Sequence, residues 1–344
     1  MSSTPWAEWH TISAVSKQNE GFMGTPDTPL AALEARDSFA DCATVGSRIE
    51  SFRRREPATQ PKLLIDRRGT TSAASSAQIP EIGANALTAS ALREAIAGQG
   101  ALIVRNLFSR QSTEIMRLAT DRVIDACADA GSAPPPGTYF NPPENLRSIM
   151  PNKDRELGNT RNFHRESGSA MCVEAPSVAE SLLQLYEHHG LKELLKQYLG
   201  ESPCLTVKKW VLRRSVLPVT EAGWHQDGAF MGTDINSINM WIPLSGCGGE
   251  TGAPGMDVIP LRLYDIVSSD GAQFNWSVSD ELTGKLQQDG PLKPVFNEGD
   301  AFFFDHFYLH RTQYRTDFSR VRYAVETWFF GETAFPKNQI PLAW

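Results

Sequence analysis

Apolar positions along this chain follow two different periods, and the change falls near residue 203. Before it the spacing is helical. Thr88 to Gln99 opens with capping residue types and predicts a short helix, stopped by Gly98 and Gly100. Ala101-Leu102-Ile103-Val104-Arg105 reads as a strand. Ser109 to Ala130 reads as a long amphipathic helix, ended by Gly131 and the prolines at 134–136. Ser177 to Gly200 supports one or two helices with Leu182, Leu183, Leu185, Leu191, Leu194 and Leu195 on their apolar faces. Beyond 203 come short strands broken by glycine and proline, at 205–214, 224–230, 236–244, 256–260, 294–296, 300–305 and 320–330. Helices first and then many strands predict a mainly β fold with flanking helices (α+β). The specific expectation is a double-stranded β-helix, a cupin-like jelly roll, buttressed by N-terminal helices. No internal repeat is present.

Residues 1–80 read as an N-terminal arm, partly loop, and 81–344 as one jelly-roll domain with helical insertions. The arm carries Trp6, Trp9 and a basic knot at Arg53-Arg54-Arg55. Its polar run at 69–76 has too little apolar area to order itself and predicts a loop. Whether the arm covers a site, docks a neighbouring subunit or wraps the surface stays open, as does a homo-oligomer.

Bulk composition narrows the partners. A formal charge of −7 disfavours nucleic acid and anionic membranes, leaving a small-molecule substrate as the expected partner. No apolar stretch is long enough for a membrane span, and the N-terminus lacks a secretory pattern, so the cytoplasm is the default location. Cys42, Cys127, Cys172, Cys204 and Cys247 are odd in number and form no CxxC, which suggests buried free thiols in a reducing compartment.

The chemistry concentrates in Trp224-His225-Gln226-Asp227-Gly228. Side chains two apart on a strand share a face, so His225 and Asp227 can aim at one metal while Gln226 turns away. A third donor follows Gly299-Asp300 and the apolar run Ala301 to Phe304. His310 has the better offset for it, with His306 as the competitor. Two imidazoles and one carboxylate form the facial set used by non-haem iron(II) oxygenases. His10, His188 and His189 read as ordinary surface or core residues, and His164 as a loop residue near the pocket whose structural role is the simpler reading.

The segments WHQDG at 224–228, INMWIPL at 238–244, APGMDVIP at 253–260, GDAFFFDHFYLHRT at 299–312 and RYAVETWFF at 322–330 resemble the phytanoyl-CoA dioxygenase (PhyH)-like family of Fe(II)/2-oxoglutarate oxygenases. The resemblance runs from about residue 86 to 334. It implies iron(II) held by His225, Asp227 and His310, with 2-oxoglutarate as co-substrate and O2 as oxidant. It implies that Arg322 grips the far carboxylate of 2-oxoglutarate, with Thr312 beside it and Trp241 or Asn239 lining that pocket. Guanidinium suits a buried carboxylate because it is permanently charged and offers two parallel donors. Arg320 shares the strand parity of Arg322, so periodicity leaves both open.

The implied reaction is a dioxygenase hydroxylation of a small or medium organic molecule, by hydrogen abstraction and rebound, with release of succinate and CO2. Asp227 stands where related halogenases carry a small residue, which argues against halogenation. A 2-oxoglutarate-independent cupin-like metalloenzyme is the alternative, and a non-catalytic binding protein on the same scaffold is a third reading. Lys208, Lys209, Arg213 and Arg214 give the strand before the HxD segment two basic faces. An exposed basic face is the simpler reading, and one pair turned into the cavity is the other. Phe230 and Met231 are candidates for an apolar substrate wall.

Overall fold

A computed structural model describes residues 43–54, 63–64, 78–129, 153–220, 222–287 and 289–344. Trp6, Trp9, His10, Cys42, Arg55, the polar run at 69–76 and the stop at 130–136 lie outside the described residues.

The helices are α1 (Ala43–Arg53), α2 (Ala89–Gln99), α3 (Arg110–Asp129), α4 (Lys153–Glu166), α5 (Pro176–His188), α6 (Leu191–Leu199), α7 (Gly228–Met231) and α8 (Asp280–Leu286). The first strands are β1 (Glu81–Gly83), β2 (Ala101–Arg105), β3 (Ser169–Met171), β4 (Pro203–Thr206) and β5 (Trp210–Arg214). The middle set is β6 (Trp224–His225), β7 (Ser237–Pro243), β8 (Cys247–Gly248), β9 (Met256–Val258) and β10 (Ser277–Val278). The last are β11 (Val295–Phe296), β12 (Ala301–Phe304), β13 (His310–Thr312), β14 (Tyr323–Gly331) and β15 (Pro341–Ala343).

These strands form a nine-stranded sheet along the path β1-β2-β12-β7-β14-β4-β15, to which β5 adds on β14 and β3 on β5. A four-stranded sheet runs β10-β6-β13-β9, and β11 pairs with β8. Strands distant in sequence are neighbours in both sheets, which fits the jelly-roll expectation of two facing sheets.

Pleating explains how one large sheet serves two cores. Ala101, Ile103, Trp241, Phe302, Phe304, Ala324 and Trp328 pack on one face, together with Met256 and Val258 of the smaller sheet. Their neighbours Leu102, Val104, Met240, Ile242, Phe303 and Val325 pack on the other face against helical residues such as Leu92, Leu182 and Leu195. Successive residues therefore enter opposite cores, one between the sheets and one beneath the helices. Such strands read as nearly unbroken apolar runs because both faces are covered.

Capping chemistry fixes the helix ends. The Thr88 side chain accepts a hydrogen bond from the Ala91 amide at 3.1 Å, and Gly100 closes α2 in the left-handed region at φ 79°. Gly98, expected to share that stop, lies inside the helix. At Gly299 (φ 88°) an added Cβ would stand 2.3 Å from the Phe108 carbonyl oxygen, so only glycine fits the turn into β12.

Several elements differ from the sequence reading, and the strand expected over 224–230 is only β6 followed by the short helix α7. Residues 205–214 divide into β4 and β5 around a turn at 207–209. The loop expected around His164 is helix α4. The arm, whose role the sequence left open, includes α1, which buries Val45 and Ile49 in the helical core while Arg48 pairs with Glu180 at 2.7 Å.

Candidate metal centre

Strand β13 lies beside β6 so that His310 pairs directly with His225. Their ring centroids are 4.4 Å apart. Asp227 reaches the same point by a different route from the one its spacing suggests. Strand β6 ends at His225, and Asp227 has helical backbone angles (φ −61°, ψ −24°) at the start of α7. Strand parity therefore does not aim this carboxylate. A tight turn does, anchored where the Gly228 amide donates to the His306 carbonyl at 2.9 Å. Gln226, pointing away, secures the turn by donating to the Phe307 carbonyl at 2.7 Å and accepting from the Val267 amide at 2.7 Å.

Donor atoms of His225, Asp227 and His310 all lie within 4.8 Å of one another. Among the described residues this is the group of His, Cys, Asp or Glu close enough to share an ion. Nδ1 of His225 lies 2.9 Å from the Gly223 carbonyl, and Nδ1 of His310 lies 3.0 Å from the Tyr308 carbonyl. A carbonyl oxygen only accepts, so each Nδ1 carries the proton and each Nε2 presents its lone pair. Such backbone bonds are the usual means of orienting a ligating imidazole.

Electrostatics favours a cation between these donors. Nε2 of His310 faces Oδ2 of Asp227 at 3.6 Å, both buried, so the carboxylate there is balanced by positive charge, which a bound metal ion would supply. Burial, reinforced by neighbouring His310, lowers His225 to a pKa of about 4, so its ring is neutral near pH 7. Burial alone would raise Asp227. Lys209 and the two imidazoles outweigh it and hold the carboxylate at about 2. Two imidazole nitrogens and one anionic oxygen suit iron(II) or a similar first-row ion.

His306 sits outside the group. Its Nδ1 lies 2.8 Å from Ser237 Oγ, and burial lowers its pKa. His164 is buried on α4, its Nδ1 3.1 Å from Ser169 Oγ, and burial together with Arg213 lowers it to about 3.

Arg322 and Arg320 share parity but not environment. Arg320 is exposed. Arg322 is buried, and burial lowers its pKa to about 10. Its guanidinium lies 5.7 Å from the Trp241 ring centroid and donates to the Gly255 carbonyl at 3.3 Å, while its buried Nε has no partner. Gly255 directly precedes Met256, which pairs with Thr312, two residues from His310. Gly255 thus lies three residues, about 10 Å, along the chain from Val258, which pairs with His310. Thr312 is half-buried there. Asn239 faces the same interior as Trp241 and has a buried, unpartnered Oδ1. Trp241 also packs on Phe296 at 5.1 Å, so it serves the core as well as the arginine.

The basic residues before the HxD segment divide by face. Lys208 pairs with Glu156 and Arg214 with Asp121 and Asp125, all at the periphery. Lys209 and Arg213 turn inward, which corrects the expectation of a simple exposed basic face. Lys209 donates to Oδ1 of Asp227 at 2.8 Å, and Arg213 Nε donates to Glu326 at 2.8 Å. Glu326 was missed by sequence reasoning. Its signal was an acid on the inward parity of an apolar strand, between Ala324 and Trp328. Burial would raise Glu326, yet Arg213 and Lys209 keep it below the usual carboxylate range. Phe230 and Trp276 also border the site, with ring centroids 6.2 and 5.9 Å from His225. Met231, paired with Phe230 as a candidate substrate wall, is buried in the core between the sheets.

No protein family and no curated protein matches the sequence. Among solved structures, the chain is similar to EctD from S. alaskensis with 2-oxoglutarate and 5-hydroxyectoine, at 14% identity and TM-score 0.47 over 69% of this chain and 73% of that one. It is also similar to the non-heme alpha ketoglutarate dependent carbocyclase SnoK from nogalamycin biosynthesis, at 14% identity and TM-score 0.43 over 73% and 87% of the two chains. Both TM-scores fall below one half, so the site stands on its own geometry.

Proposed function

We propose that the chain is an iron(II)- and 2-oxoglutarate-dependent dioxygenase, with the PhyH-like family as its nearest functional type. The observation that carries this reading is the pairing of two preorganised features. Three donors, Asp227 and His310 buried and His225 half-buried, converge at one point, and a buried guanidinium with an unpartnered Nε stands further along the same interior. An unpaired buried charge is costly, and a ligand carboxylate would relieve it.

Under this reading His225, Asp227 and His310 hold iron(II), which supplies the oxidising chemistry with O2 and 2-oxoglutarate. Arg322 takes the distal carboxylate of the keto-acid in a two-pronged hydrogen bond, and Thr312 and Asn239 supply polar contacts nearby. Trp241 lies against the guanidinium and, packed on Phe296, keeps water from that end. Phe230 and Trp276 offer an apolar border for a small or medium organic substrate. The expected product is a hydroxylated compound, with succinate and CO2 released.

Anaerobic addition of iron(II) and then 2-oxoglutarate tests the proposal. A weak visible charge-transfer band is expected on keto-acid addition, followed by slow succinate formation when O2 is admitted. Stoichiometric iron binding with no band and no succinate would overturn it and leave a metalloenzyme of another type.

A further inference from the structure

The two oxygens of Asp227 meet different neighbours. Oδ2 faces Nε2 of His310 at 3.6 Å, whereas Oδ1 accepts from the Lys209 ammonium at 2.8 Å. That ammonium is itself confined, lying 4.1 Å from the Phe230 ring centroid. It also lies in the field of the buried Glu326 carboxylate, which Arg213 fixes from the other side. Positive and negative groups thus alternate from Arg213 through Glu326 and Lys209 to Asp227.

We propose that Lys209 is a positioning residue that restricts Asp227 to binding metal through one oxygen, and so keeps a coordination position open for the keto-acid. The inference rests on the function proposed above. A carboxylate can give a metal one oxygen or two. Three protein donors and a chelating keto-acid leave one place for O2 in a six-coordinate ion, so a second oxygen from Asp227 would compete for an occupied position. A charge-assisted bond at 2.8 Å makes that second oxygen costly to recruit, because moving it to the ion strands a partly buried ammonium. The cation–π contact with Phe230 limits how far Lys209 can follow.

The test compares Lys209→Met, Lys209→Gln and Lys209→Arg with the parent protein, anaerobically. Removing the neighbouring positive charge should leave cobalt(II) affinity equal or higher. The 2-oxoglutarate needed for half of the iron(II) charge-transfer band should rise about 10- to 100-fold in Lys209→Met and fall back in Lys209→Arg. These opposite directions separate the proposed role from general damage, which would weaken both. Unchanged keto-acid demand in Lys209→Met, or weaker cobalt binding, overturns the inference. If the methionine variant does not fold, Lys209→Gln decides by the same criteria. The two readings fail separately: no band in the parent protein removes the keto-acid, whereas a parent band unaffected by Lys209→Met removes the role of the lysine.

Discussion

His225 and His310 are held by the same local device. Each ring donates from Nδ1 to the carbonyl two residues earlier, Gly223 at 2.9 Å and Tyr308 at 3.0 Å, and the strands carrying them pair at these very residues. The backbone thereby sets both tautomers and both ring planes before any ion arrives. Preorganisation of this kind lowers the cost of binding, because little side-chain freedom remains to be lost.

Metal binding should follow that group and exclude its competitor. Asp227→Ala and His310→Ala should abolish stoichiometric cobalt(II) or iron(II) binding in calorimetric titration, while His306→Gln keeps it. Nickel(II) should occupy the site and give no succinate, and chelator treatment of the iron-loaded protein should remove turnover reversibly. Retained stoichiometric binding in Asp227→Ala would exclude it as a ligand.

Arg322 and Arg320 should differ sharply. Arg322→Ala removes a buried charge that would pair with a carboxylate, and such losses cost roughly 2–5 kcal/mol. The 2-oxoglutarate requirement should therefore rise strongly in Arg322→Ala, and stay near the parent value in Arg320→Ala, whose side chain is exposed. Succinate assays over a range of keto-acid concentrations measure both. The reverse ranking would move the anchor.

The pair of Arg213 and Glu326 should behave as a unit. Arg213→Met leaves a buried carboxylate without its partner and should cost about 3 kcal/mol in urea unfolding, the low end for a buried pair because the arginine is partly exposed. Adding Glu326→Gln should recover much of that loss. Additive losses in the double variant would show that the two do not depend on each other.

Acid should destabilise the fold partly through His164. Its imidazole is held at about 3 in the native state, against an ordinary value of 6.5, by burial and by Arg213. The unfolded chain therefore binds this proton first. The stability it contributes is complete above about pH 6.5 and drains away as pH falls toward 3, by up to ~1.4 kcal/mol per pH unit. His164→Gln should flatten the pH dependence of apo-protein unfolding between pH 7 and 5. An equal slope in parent and variant would refute this.

Gly255→Ala should impair fold and site together. An added Cβ would stand 2.4 Å from the Gly248 Cα, while the Gly255 amide and carbonyl serve Gln313 and Arg322. A loss of about 1–3 kcal/mol is expected from the overpacking, with a weaker keto-acid response. Thermal melting and the charge-transfer titration report the two effects.

The apolar run at Ala101 to Arg105, the leucine spacing from 182 to 195 and the Thr88 and Gly100 caps determined their elements locally, because each depends on side chains a few residues apart. The three candidate donors were legible for a different reason: their chemical types carry the signal, although His310 lies 83 residues beyond Asp227. Tertiary structure decided the rest. Arg320 and Arg322 share a parity, and only burial distinguishes them. Asp227 reaches the site from a helical turn, which spacing alone represented as a strand. Lys209 and Arg213 face inward because Asp227 and Glu326, the latter 113 residues beyond Arg213, wait there to neutralise them. Periodicity states which way a side chain points. What stands opposite is set by chain segments far away, and for buried charge that partner determines whether the arrangement is tolerable at all.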